Sequence, residues 1–128
     1  MNKDGGITFT TFTVKCNFND AATKARISAA IHKAQMKLDQ QVITDSNFYC
    51  PLRAAQGGTL QKSAQINTVI GSGLIVWRTP YARRQYYGVN FDHSKSANPN
   101  ACAKWFATAK ARKLSDWEKL VNDTIKNS

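Results

Sequence analysis

From Asn19-Asp20 onward the chain places apolar residues at Ile27, Ile31, Ala34, Leu38 and Val42, with Lys24, Arg26, Lys33 and Lys37 between them. Spacings of three and four put such residues on one face of an α-helix, because 3.6 residues complete a turn. The pattern predicts an amphipathic helix of about six turns, capped by Asn19 or Asp20, with its cations on the solvated side. Before it, Ile7 to Phe18 mixes aromatic and β-branched residues with polar ones, which predicts a half-buried strand. Ile7 and Phe9 share one parity while Phe12, Val14, Cys16 and Phe18 share the other, so a bulge or bend is expected at Thr10-Thr11.

Asp45 to Gly58, with Pro51 and Gly57-Gly58, reads as a loop leading to a short turn of structure at Thr59 to Ser63. Phe48, Tyr49 and Arg53 in that loop, and Lys62 just beyond it, are candidate contact residues. Gln65 to Ile70 and Leu74 to Trp77 are two apolar runs joined by Gly71-Ser72-Gly73, the pattern of a β-hairpin. Thr79-Pro80 offers a helix start, and Tyr81 to Tyr87 is expected to make about two turns stopped by Gly88. A polar loop through His93 and Lys95 ends at Asn98-Pro99, which opens a C-terminal helical region carrying Cys102, Trp105, Phe106 and Ala109. Ser115 with Glu118 suits a capping box, so the tail is either a second helix burying Trp117, Leu120, Val121 and Ile125 or part of one long bent helix. The element order predicts an α+β fold: a small antiparallel β-sheet with a long helix and C-terminal helices packed on one face. One domain over residues 1–128 is expected, with about six flexible residues at its amino end.

The apolar fraction of 42% is enough for a core, and no apolar run approaches the roughly 20 residues of a membrane span. Met1 to Gly6 lacks a secretory apolar stretch, so folding in a cytoplasm without membrane contact is expected. Cys16, Cys50 and Cys102 are widely separated, and are read as reduced, mostly buried thiols. Eighteen Lys and Arg against eight acids give a net charge of +10, which calls for a partner of opposite sign. Nucleic acid and the acidic faces of neighbouring proteins satisfy that charge equally well.

Catalysis needs paired carboxylates, a nucleophile with its base, or a metal cluster. The acids form no such pair in sequence, His32 has no ligand at metal spacing, and Asp92-His93 are neighbours in a polar loop. Cys50 or Cys102 acting with His93 is the remaining thiol arrangement, and Gly71-Ser72-Gly73 lacks the lysine of a phosphate loop. No enzymatic activity, cofactor or metal is therefore expected. Interface-type residues concentrate instead at Trp77, Arg78, Tyr81, Arg83, Arg84, Tyr86 and Tyr87. Such residues dominate binding hot spots, although Trp77, Tyr81 and one of the paired tyrosines also suit a core.

The runs Gly73-Leu74-Ile75-Val76-Trp77, Pro80-Tyr81-Ala82-Arg83-Arg84-Gln85-Tyr86-Tyr87-Gly88, Asn98-Pro99-Asn100-Ala101 and Trp105-Phe106-Ala107-Thr108-Ala109-Lys110 resemble the small minor capsid proteins of tailed bacteriophages and prophages. The resemblance covers roughly residues 25 to 126. The chain also looks like a distant version of the neck and tail-component family. Pro51, Gly58, Leu60 and Ser63 match that family's series, and Gly57 stands where threonine is usual. The resemblance implies a virion protein of the head-tail junction, made in the bacterial cytoplasm. It implies a homo-oligomeric ring, a hexamer or dodecamer, between connector and tail proteins and around the DNA path, with a tail terminator as the nearest variant. Elements expected to protrude are the Asp45 to Gly58 loop, the Gly71 to Gly73 tip and the amino-terminal strand. The alternative is a basic nucleic-acid-binding module stacking bases on Tyr86, Tyr87 or Trp105.

Overall fold

The computed structural model describes residues 6–10, 21–51, 59–88 and 99–127. The amino terminus, most of the strand predicted beyond Thr10, Cys16, the Asn19-Asp20 cap, Arg53, Gly57-Gly58 and the His93 and Lys95 loop lie outside the described residues. The elements are β1 (Ile7–Thr10), α1 (Ala21–Asn47), α2 (Thr59–Asn67), β2 (Leu74–Trp77), α3 (Ala82–Tyr87) and α4 (Trp105–Lys126). This is an α+β architecture in which the long helix α1 packs against the C-terminal helix α4.

The apolar stripe of α1 is buried along its second half, with Ala34, Leu38 and Val42 fully covered, while Ile27 and Ile31 are half-buried. Trp105, Phe106, Ala109, Trp117 and Val121 form the matching buried face of α4. The two helices run antiparallel: Trp117 Nε1–H donates to Asp45 Oδ2 at 2.7 Å near the end of α1, while Leu120, further along α4, lies beside Lys37 and Gln41. The helix α1 continues through Asp45 to Asn47 where a loop was expected. Its last polar residues have distant partners. Asp45 Oδ1 accepts from Gln41 Nε2 at 3.0 Å, and Asn47 accepts from Trp77 Nε1 at 3.0 Å while donating to Gln61 O at 3.1 Å.

The predicted hairpin is corrected. Gln65 to Asn67 end the helix α2, and the strand paired with β2 is β1, antiparallel, with Ile7 opposite Trp77 and Thr10 opposite Leu74. The other edge of β2 is closed by hydroxyls from the α2 region. Thr68 Oγ1 accepts the Val76 N–H at 3.0 Å, and Ser63 Oγ accepts the Arg78 N–H at 3.1 Å. Side chains thus take the ladder positions a second strand would occupy.

The Gly71 to Gly73 turn does not protrude either. Both glycines have positive φ, 97° and 79°, a region closed to most L-residues. Their N–H groups both donate to Asp39 Oδ2, at 2.8 and 3.0 Å. Asp39 is fully buried on α1, and its Oδ1 accepts from Gln35 Nε2 at 3.0 Å. The turn lies so close to α1 that a Cβ on Gly71 would stand 3.0 Å from His32 Cε1.

The C-terminal region is one helix, and Ser115 is an exposed position inside it, so the capping box does not form. Its start is at Trp105 rather than behind Asn98-Pro99. Lys104 precedes it with φ 52°, and the Lys104 N–H donates to Tyr86 O at 2.8 Å. The core closes on an aromatic cluster: Phe9 stacks on Phe106 at 4.7 Å and meets Trp77 edge-on at 5.9 Å, while Trp105 meets Trp77 and Tyr86 edge-on at 5.9 and 4.8 Å. Offset and edge-to-face arrangements of this kind are the favoured ones for aromatic quadrupoles.

Candidate functional site

The aromatic and arginine cluster divides between interior and surface. Trp77 and Tyr86 are buried, and the Tyr86 hydroxyl accepts the Ala107 N–H at 3.3 Å. Tyr81 and Arg83 are half-buried, Arg78 and Arg84 are exposed, and Tyr87 is 58% exposed with its ring edge-on to Tyr86. Short-helix periodicity explains the division, because Ala82 and Tyr86 share the inward face of α3. Trp105 is also fully buried, so of the three residues proposed for base stacking only Tyr87 presents its ring to solvent. Phe48 is exposed and packs edge-on against half-buried Tyr49 at 4.9 Å. The Arg112 guanidinium lies 5.5 Å from the Tyr49 ring centre, within cation–π range. Lys62 is exposed on α2.

A second surface was not singled out by the sequence reading. Ile66 and Val69, taken there for strand residues, are 79% and 73% exposed, and Leu74 and Met36 are also exposed. Beside them a groove of about 400 Å³ is lined by Gln40, Ile43, Thr44, Gln65 and Ile70. A second groove of about 290 Å³ is lined by Lys37, Gln40, Gln41, Thr44 and Leu120. The grooves share Gln40 and Thr44, so they flank one outward ridge of α1. The available signal was the pair of apolar residues Leu60 and Ala64, four apart among polar ones, which fits one buried face of a surface helix.

Of the described acids, Asp39 and Asp45 are engaged inside the fold, while Asp116 and Glu118 are exposed on α4. Asp39 holds the glycine turn and Asp45 holds Trp117. Asp123 pairs with Lys119 at 2.9 Å on the exposed side of α4, a contact that contributes little in water. This leaves a surface dominated by cations. Among the described residues no three His, Cys, Asp or Glu side chains gather as a metal site, and no helix is long and apolar enough to cross a membrane.

Cys50 is buried and Cys102 half-buried, and no disulfide joins them. Burial, with a smaller contribution from nearby Cys102, pushes the Cys50 thiol well above its usual value. It is held protonated at neutral pH, unlike an activated nucleophile. Burial likewise pushes the Tyr86 hydroxyl up to about 12. For both groups the unfolded chain releases its proton first as pH rises, so stability present below their ordinary values is lost on the way to the folded ones. For Tyr86 the window runs from about pH 10 to about pH 12 and corresponds to about 3 kcal/mol. Urea midpoints measured between pH 8 and 12 are expected to fall, and Tyr86→Phe is expected to flatten the upper part of that fall. An unchanged slope in the phenylalanine variant would contradict the assignment.

Neither the curated proteins nor the solved structures contain a match to this chain. A family model described as minor capsid protein matches residues 12–124, nearly the full length and every described element except β1. The chain therefore belongs to the minor capsid protein family and is a structural component of a phage virion.

Proposed function

We propose that the chain is a subunit of the head-tail junction, forming a neck or head-completion ring that joins head and tail around the DNA path. The observation that carries the reading is the pair of nearly bare aliphatic side chains, Ile66 and Val69, on a well-packed body of a virion protein. Exposed apolar surface beside a groove marks a contact with another protein. Phe48 and Tyr87, 55% and 58% exposed on other elements, supply further contact points. A small rigid subunit with unlike surfaces suits heterologous contacts, which close into a ring, here a hexamer or dodecamer. The action is geometric, with no catalytic step: subunits bury surface against one another and against the layers above and below. Arg78 and Arg84 meet acidic neighbours or DNA phosphates. The match of Pro51, Gly58, Leu60 and Ser63 to the neck and tail-component series supports the same position.

The test is electron microscopy of particles made by a phage or induced prophage whose copy of this gene carries an early stop codon. Packed or leaking heads beside separate tails are expected. Normally joined, infectious particles would remove the junction reading and leave only the broader virion role.

A further inference from the structure

We infer that the surface formed by α2, the residues just after it and the ridge of α1 is a docking site for an acidic, apolar segment of a different virion protein. The inference rests on the chain being a virion component, and not on its position at the junction.

Three observations select this occupant. First, Ile66 and Val69 stand three residues apart and largely bare, and the adjoining groove of about 400 Å³ has Ile43 and Ile70 in its wall. The groove is large enough to take aliphatic or aromatic side chains from a partner helix or strand. Second, the charged side chains in the groove walls and next to Ile66 on α2 are lysines. Lys62 lies one turn before Ile66 on α2, and Lys37 lines the neighbouring groove across the shared Gln40 and Thr44. Among the described residues no acid lines either groove. The complement is therefore a segment that carries carboxylates beside its apolar anchors. Third, the groove linings and the exposed residues beside them include no aromatic ring. Single-stranded nucleic acid gains affinity by stacking bases on rings, and duplex DNA offers phosphates that cannot cover Ile66 and Val69. An isologous contact of this surface with a second copy is disfavoured, because it would set Lys37 and Lys62 against the same lysines.

The experiment uses the full chain in assembling particles. A photoreactive benzoylphenylalanine replaces Val69, purified virions are irradiated, and the cross-linked peptide is sequenced. A cross-link to an acidic, apolar segment of another virion protein is expected. Cross-links to a second copy, to another part of the same chain or to DNA would overturn the inference, as would no cross-link from this position.

In parallel, Ile66→Ser with Val69→Ser is expected to lower incorporation into particles at least tenfold while leaving the melting curve unchanged. Lys37→Glu is expected to lower incorporation at an otherwise intact surface. Wild-type incorporation of both variants would also overturn the inference. The junction reading fails separately, through normally joined particles in the stop-codon strain, so the two failures are distinguishable.

Discussion

Asp39→Ala is expected to destabilise the fold by about 4 kcal/mol, since the change strips the partner from buried donors. Its carboxylate accepts from the Gly71 and Gly73 N–H groups and from Gln35, and the residue is fully buried. Alanine removes the side-chain acceptor of both backbone donors. For a domain with a typical total stability of about 5–15 kcal/mol, that is a large fraction. Asp39→Asn retains an oxygen acceptor and is expected to lose less than half as much. Urea denaturation measures the difference, and hydrogen exchange at Gly71 and Gly73 locates it. A loss under about 1 kcal/mol for the alanine variant, well below the usual range for such a buried group, would show that the turn is held by other contacts.

The second large effect is expected at Trp77. Removing its ring leaves a cavity between Phe9 and Trp105 and takes the donor from Asn47 Oδ1, so Trp77→Ala is expected to lose about 3–5 kcal/mol. Trp77→Phe retains most of the volume and is expected to lose clearly less. Thermal melts followed by near-ultraviolet circular dichroism would check both variants. A small loss for alanine would mean that the cluster repacks. Because Trp77 is fully buried, failure of this variant to enter particles would report on folding and not on an interface.

The parts of the fold that could be read from the sequence were those decided locally. The stripe from Ala34 to Val42 predicted the buried face of α1, and the positions of Trp105, Phe106 and Ala109 predicted that of α4. What escaped was decided by distant partners. Asp45 and Asn47 resemble loop residues until Trp117 and Trp77 are brought to them. Asp39 is one of two acids on α1, and nothing within its own helix announces that it binds a turn more than 30 residues away. The aliphatic residues at Ile66, Val69 and Ile70 were taken for a strand because apolar content usually means burial. Here Ile66 and Val69 are exposed, and the hydroxyls of Ser63 and Thr68 serve β2 instead. In the candidate interface, composition identified the residue types correctly, but only packing separates Tyr87 on the surface from Trp77 and Tyr86 within.

The pairing of α1 with α4 also sets the order of events during synthesis. Asp45 and Trp117 are 72 residues apart, a distance that a bacterial ribosome translating about 5–20 residues per second covers in roughly 4 to 14 s. Throughout that interval Ala34, Leu38 and Val42 have emerged without the helix that covers them. Strand β1 waits in the same way for β2. Local helix formation is complete in about a microsecond, so the nascent chain carries an amphipathic helix with an uncovered apolar side for seconds. Chaperone demand should therefore peak before α4 is made, and a subunit ready for the particle exists only after that helix has docked.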